Sequence, residues 1–201
     1  MKVIGLCGGS GSGKGEASRV FAELGISVID ADSVYGELVR ADSPCLRELV
    51  FAFGKGIISD SGSLDRAVMA ELVFRGDGAE ERRRLLNSIT HRHVLREIRN
   101  RLDTLRDSGV ECALVDAPLL FESGLDGDCD FTVAVIADRD KRISRICARD
   151  GIHRAHAERR IDSQISDDNL SSLADYVIYN NGDLGDLRSE VINLVNKTKE
   201  V

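Results

Sequence analysis

The stretch Lys2-Val3-Ile4-Gly5-Leu6-Cys7-Gly8-Gly9-Ser10-Gly11-Ser12-Gly13-Lys14-Gly15-Glu16 decides how the rest of the chain is read. An apolar run enters a glycine-rich turn, and a helical segment, Ala17 to Leu24, follows. Gly8, Gly13 and Lys14 fit the phosphate-loop spacing G-x-x-x-x-G-K. A loop that wraps a polyphosphate must aim several backbone N–H groups inward, and glycine permits the φ values and the close approach this needs. The following helix adds its free N-terminal donors and the positive end of its dipole. Lys14 supplies a mobile charge for the outer phosphates. The candidate nucleotide cradle is therefore Gly9, Ser10, Gly11, Ser12, Gly13, Lys14, Gly15 and Glu16. A dinucleotide-type G-x-G-x-x-G lacks its third glycine in every register, which argues against a dehydrogenase of that kind.

One position departs from the pattern. The residue after the lysine is normally Ser or Thr, whose hydroxyl binds Mg²⁺. Here it is Gly15, with Glu16 next. Water or a nearby carboxylate replaces that ligand, or turnover is weaker than the motif suggests. Glu16 is a possible metal ligand, but a first-turn glutamate favoured by the helix dipole is the preferred reading.

Composition narrows the classes. A length of 201 residues suits one compact domain with an inserted lobe, and 42% hydrophobic residues can build its core. A net charge of −7 gives no support to non-specific nucleic-acid binding. No apolar run is long enough to span a bilayer. The chain enters the phosphate loop at once, which does not read as a secretory signal. Cys7, Cys45, Cys112, Cys129 and Cys147 form no C-x-x-C pair, so buried reduced thiols in a cytoplasmic protein are expected.

Further along, Ile26, Val28 and Ile29 read as a short buried strand that ends in Asp30-Ala31-Asp32. Strand ends are where open parallel sheets bind their ligands. One aspartate suits the N-cap of a helix from Ser33 to Arg40. The other is a carboxylate for deprotonating an attacking hydroxyl or holding Mg²⁺ through water. From Ser43 to Asn100 the periodicity is helical, with Leu64-Asp65-Arg66 opening one helix and a long one running from Ala79 to Asp107. His91 and His93 diverge on a helix, so a structural or substrate-contacting His91 is preferred to a metal pair. Cys112 to Val115 is a buried strand ending in Asp116-Ala117-Pro118. Asp116 either holds Mg²⁺ through water or sits in a local hydrogen-bond network. Phe131 to Ile136 is a further strand. Asp138 to Ser166 reads as two helices rich in arginine, on which Arg145 and Arg149 share a face. Such an arm suits phosphoryl transfer, and the bland alternative is a solvated basic surface. A strand from Ala174 to Gly182 and a helix from Leu184 to Val195 close the chain. Strands alternating with helices predict an α/β fold, a parallel sheet with helices on both faces.

Taken together the chain resembles the dephospho-CoA kinases over nearly its whole length. The resemblance rests on the phosphate loop, Val28-Ile29-Asp30-Ala31-Asp32, Phe53-Gly54, Gly62-x-Leu64-Asp65-Arg66 and Leu86-Asn87-x-Ile89-x-His91. It continues with Pro118-Leu119-Leu120-Phe121-Glu122, Arg145-x-x-x-Arg149-Asp150, Arg160-x-x-x-Gln164 and Ala174 to Gly182. It implies a P-loop kinase-type parallel sheet flanked by helices, with an inserted helical substrate lobe and a helical lid. The implied core is about 1–32, 109–137 and 167–201, the lobe about 33–108 and the lid about 138–166. The implied reaction moves the γ-phosphoryl of ATP, with Mg²⁺, to the 3′-hydroxyl of the dephospho-CoA ribose. By resemblance Asp32 is the base, Lys14 the phosphate clamp and Arg145 or Arg149 the transition-state stabiliser. Asn180, Asn181 and Gly182 lie near adenine, and Asp32, Asp65, Arg66, His91, Pro118 and Leu119 meet the substrate. Asp116 and Asp32 are the candidate Mg²⁺ holders, through water. The chain departs from the family pattern at Gly15-Glu16, at Arg92 after His91 and at Asn169. The expected protein is cytoplasmic, a monomer or weak homo-oligomer, without nucleic-acid or membrane partners. The alternatives are another small-molecule kinase of this fold, such as a nucleoside or nucleotide kinase, and a nucleotide-binding protein with weakened catalysis. A GTPase-like switch ranks last, for want of N-K-x-D.

Overall fold

The computed structural model describes residues 1–199. Its strands are β1 (Lys2–Cys7), β2 (Ser27–Asp30), β3 (Cys112–Asp116), β4 (Phe131–Ile136) and β5 (Tyr176–Tyr179). Its α-helices are α1 (Lys14–Glu23), α2 (Ala31–Leu38), α3 (Pro44–Phe53), α4 (Arg66–Phe74), α5 (Ala79–Asp107), α6 (Arg139–Asp150), α7 (Arg154–Asp162), α8 (Asp167–Leu173) and α9 (Leu184–Lys199). Among the described residues the strands form one sheet in the order β2-β3-β1-β4-β5. The pairing is parallel, running from Lys2↔Cys112 to Leu6↔Asp116 on one side of β1 and from Ile4↔Phe131 to Cys7↔Ala134 on the other. β1 is central and is buried from Val3 to Cys7. A strand covered on both faces needs apolar residues at nearly every position, so β1 reads as a continuous run and not as an alternation. The expected parallel sheet flanked by helices is the fold observed.

Two compact units are separable: Met1–Ile29 with the described residues from Thr104 onward, and Asp30–Asp103. In the first, α1 and α9 pack together, and Leu6, Phe21, Leu114, Val133, Val135, Ile178, Leu187 and Val191 belong to one core cluster. Ile143 and Ile146 of α6 close on Ala157 and Ile161 of α7 as a small separate cluster. Because the strands are parallel, the ends of β1, β3, β4 and β5 bring the glycine loop, Asp116, Asp138 and Asn180 to one edge of the sheet.

In the second unit Leu46, Leu49, Ile57, Met69, Val73 and Ile89 form the core. Three of its helices, α2, α3 and α4, start at side-chain caps. Asp30 accepts from Ser33 N at 2.7 Å, Ser43 accepts from Leu46 N at 2.9 Å, and Asp65 accepts from Ala67 N and Val68 N at 2.9 and 3.0 Å. The cap at Asp30 decides between the two aspartates. The chain turns helical at Ala31, two residues before the expected Ser33, and Asp32 lies in the first turn of α2. On α5, His93 is 5% exposed. Arg96 donates to its Nδ1 at 2.7 Å, and an arginine cannot accept, so Nε2–H donates to Glu48 at 2.8 Å. This ring is a buried, hydrogen-bonded histidine, while His91, two residues earlier, is half-buried.

None of the five cysteines is in a disulfide. Cys7 and Cys45 are buried as expected, whereas Cys112, Cys129 and Cys147 are only half-buried. Burial pushes the Cys7 and Cys129 thiols up to about 12 and Cys45 to about 11, so these three carry little thiolate near neutrality. No helix among the described residues is long and apolar enough to cross a membrane.

Candidate active site

β1 delivers the chain to the glycine loop, and α1 starts at Lys14 directly after it. Gly11 has φ 77° and Gly13 has φ 98°, values that favour glycine. Space adds a second requirement. A Cβ on Gly11 would lie 2.6 Å from the Arg142 carbonyl oxygen, and one on Gly13 would run into the Asn180 amide. These glycines are imposed by the protein packed outside the loop, whatever lies within it.

The outer side of the loop is lined with donors. Arg142 Nε donates to Ser10 O at 2.9 Å. Arg145 Nη1 donates to Gly11 O and Ser12 O at 3.2 and 3.3 Å, and its Nη2 to Asn180 O at 3.1 Å. Asn180, 5% exposed, donates from Nδ2 to Ser12 O at 2.7 Å. A planar trans peptide points C=O of one residue and N–H of the next in opposite directions. Turning the Ser10 and Ser12 carbonyls outward therefore turns the Gly11 and Gly13 N–H groups inward. Ser12 N–H is spent within the loop on Gly9 O, at 3.1 Å. At the start of α1, Lys14 N–H reaches Ser12 Oγ at 3.4 Å and Glu16 N–H bonds Gly13 O at 3.0 Å, and the helix turns the positive end of its dipole toward the same concave row. This is an anion cradle made of backbone dipoles.

Lys14 Nζ forms an ion pair with Asp116 Oδ1, the lysine side chain 17% and the aspartate side chain 4% exposed. The sequence left Asp116 between a metal carboxylate and a local network, and here it is the partner of Lys14. Glu16 is paired with Arg19 at 2.6 Å, as expected of a first-turn glutamate. A Cβ on Gly15 would meet nothing within 4 Å, so the position of the missing hydroxyl is open.

The two arginines expected to share a task are held differently. Arg145 grips the loop. Arg149 pairs with Asp150 at 2.7 Å, and Arg160 pairs with the same carboxylate at 2.5 Å. The Arg149 guanidinium, then Arg160, holds the Asp150 carboxyl down to about 2. A depressed folded value means that this contribution is complete above the ordinary aspartate value of 3.8 and is lost as pH falls toward 2. In Arg149→Ala the Asp150 midpoint, followed by carboxyl NMR, is expected to move back toward 3.8; an unmoved midpoint would mean that Arg160 alone suffices. Asn181 does not reach the loop with its amide. It accepts from Asp138 N at 2.8 Å and donates to Asp138 Oδ1 at 2.8 Å, while its carbonyl accepts from Lys141. Gly182 lies against Asp186. Pro118 and Leu119 form the turn after β3, with Leu119 48% exposed.

In the second unit Arg66 stands 5.7 Å from the Tyr35 ring centroid, a cation–π distance, next to the capping Asp65. Among the described residues no group of three or more His, Cys, Asp or Glu side chains makes a metal cluster. Arg142 is the residue that sequence reading passed over. It is one of many arginines between 138 and 166, and its burial depends on partners 22 and 25 residues away.

A family model described as dephospho-CoA kinase matches residues 2–186. The dephospho-CoA kinase of Corynebacterium glutamicum is 40% identical over 195 residues, covering 97% of this chain and 96% of that one. The dephospho-CoA kinase of Carboxydothermus hydrogenoformans is 36% identical over 199 residues, covering 99% and 95%. The crystal structure of TT1252 from Thermus thermophilus matches with a TM-score of 0.78 at 30% identity, covering 98% of this chain and 97% of that one.

Proposed function

The chain belongs to the dephospho-CoA kinase family, a kinase that uses ATP to phosphorylate dephospho-CoA in the formation of coenzyme A, and we propose that Asp32, Lys14, Arg145 and Arg149 carry out this transfer. The observation that supports these roles is the loop itself, with its carbonyls engaged from outside by Arg142, Arg145 and Asn180 and Lys14 at its end. In the proposed reaction the ribose 3′-oxygen forms a bond to the γ-phosphorus, and the bond from that phosphorus to the β,γ-bridging oxygen breaks. The hydroxyl proton passes to Asp32, and ADP departs with the bridging electrons. Phosphoryl transfer asks the protein for positioning and charge and for little covalent chemistry. The cradle N–H groups and Lys14 hold the phosphates. To reach them, Lys14 exchanges part of its contact with Asp116 for phosphate oxygens. Arg145 and Arg149 balance charge on the moving group, Arg149 after leaving Asp150. Asn180, Asn181 and Gly182 border adenine. Asp65, Arg66, His91, Pro118 and Leu119 meet dephospho-CoA together with Asp32.

In the same reading residues 33–108 are the substrate lobe and 138–166 the lid, on a core of 1–32, 109–137 and 167–201, of which 200 and 201 lie outside the described residues. The protein acts in the cytoplasm as a monomer or weak homo-oligomer. Asp116 is a fitting partner for Mg²⁺, since this ion takes one or two carboxylates and completes its shell with phosphate oxygens and water. Asp32 is the second carboxylate, also through water. When bound with ATP, Mg²⁺ would supply neutralising charge to the phosphates. Gly15→Ser fits the open space and is expected to tighten the apparent Mg²⁺ requirement about tenfold, the scale on which neighbouring ligand groups tune metal sites. Turnover at graded Mg²⁺ measures this; an unchanged requirement would show that water already serves.

The assay that tests the reading is transfer from ATP to a panel of acceptors. Phosphorylation of dephospho-CoA ahead of nucleosides and nucleotides supports it. Preference for another acceptor, or ATP binding without transfer to dephospho-CoA, would sink the assignment.

A further inference from the structure

Arg142 is 2% exposed, and burying a guanidinium is costly unless every charge finds a partner. Its three arms are all engaged. Nε donates to Ser10 O at 2.9 Å, Nη2 to Gln164 Oε1 at 3.2 Å, and Nη1 to Asp167 Oδ1 at 2.7 Å. Gln164 completes a ring: its Oε1 also accepts from Ser10 N at 2.9 Å, and its Nε2 lies 3.3 Å from Ser10 Oγ. Ser10 is thus held at its N–H, its C=O and its hydroxyl by two side chains that bond to each other.

Cohesion of α6 with α7 does not require this arrangement, because Ile143, Ile146, Ala157 and Ile161 already provide an apolar cluster. A basic residue needed only for solubility would lie outside. What the ring does is fix one residue of the phosphate loop through both of its flanking peptides, the Gly9–Ser10 peptide by its N–H and the Ser10–Gly11 peptide by its C=O. We propose that Arg142, Gln164 and Asp167 form a positioning clamp on Ser10 that presets the loop for the phosphates of ATP. The proposal deepens the ATP-dependent reading above and rests on it. With Ser10 N–H committed to Gln164, the cradle begins at Gly11. Its N–H is aimed inward because the Ser10 carbonyl is drawn outward by Arg142. A loop held this way pays no ordering cost when nucleotide arrives, and its dipoles are aligned beforehand. Arg142 acts through the loop and is a positioning residue.

The test is direct calorimetric titration of ADP into the full chain, well below each variant's melting midpoint, with KM for ATP and for dephospho-CoA measured alongside. Arg142→Ala is expected to weaken ADP binding and raise KM for ATP about tenfold, with KM for dephospho-CoA changed less than about twofold. Arg142→Lys keeps the charge but replaces the planar fork, and restores less than half of the lost affinity on a logarithmic scale. Gln164→Ala and Asp167→Asn each weaken ADP about threefold to tenfold, and they decide the matter if Arg142→Ala does not fold. ADP affinity unchanged in folded Arg142→Ala, or in both other variants, overturns the clamp even if melting midpoints fall. An equal rise in both KM values also overturns it. Because ADP binding needs no acceptor, failure of the clamp is separable from failure of the dephospho-CoA assignment, which the unmodified chain's acceptor panel tests.

Discussion

Lys14→Met is expected to lower turnover by about 10³-fold and to destabilise the protein by about 3 kcal/mol, two effects with different causes. The first follows from loss of the mobile cation that meets charge on the phosphates. The second follows from Asp116, whose side chain is 4% exposed and whose partner is the Lys14 ammonium. Removing the cation leaves a buried carboxylate uncompensated, and that penalty exceeds what the intact pair contributes. Adding Asp116→Asn removes the orphaned charge. The double variant is therefore expected to recover most of the lost stability in urea denaturation while remaining inactive. If the double variant is as unstable as Lys14→Met alone, the penalty comes from lost packing of the lysine stem and not from Asp116.

The second large effect is expected at Asp32. Asp32→Asn keeps the shape of the side chain and removes its basicity, so turnover should fall about 10³-fold, within the range for a positioned general base. Nucleotide affinity should stay within about twofold, because phosphate binding is assigned to the cradle and Lys14. A neighbouring control is available. Asp30 caps α2 through Ser33 N, so Asp30→Asn should cost stability of the helix start and little turnover. Should Asp32→Asn turn over normally, the hydroxyl proton leaves by another route, which a loose transition state with little need of a base would permit.

Much of this was legible along the chain because it is local. Seven consecutive residues, Gly8 to Lys14, carry the phosphate-loop spacing, and an apolar run before them and a helix after them give its context. The apolar run ending in Asp116 announced a strand that delivers a carboxylate, and Glu16 behaved as the first-turn residue its position suggested. The pair Asp30 and Asp32 was harder. Alternation would have put them on one side, but the Asp30 cap starts the helix at Ala31 and turns them apart. His93 was opaque for another reason: its partner Glu48 lies 45 residues earlier, on α3.

What the sequence determined by itself was the family, the alternation of strands and helices, and the identity of the phosphate loop, since each depends on short spacings and on apolar periodicity. What only the tertiary structure decided was which arginine does what. Arg142, Arg145 and Arg149 are alike in sequence and a turn apart on α6, yet one is buried, one grips loop carbonyls and one faces Asp150. The fates of Arg142 and Arg145 are set by Asp167, Gln164, Asn180 and the loop itself, groups far along the chain that reach α6 only when the sheet has formed, whereas Arg149 meets its neighbour Asp150. A charge buried in a fold takes its role from the partners that compensate it, and partners distant in sequence leave no mark on the local pattern.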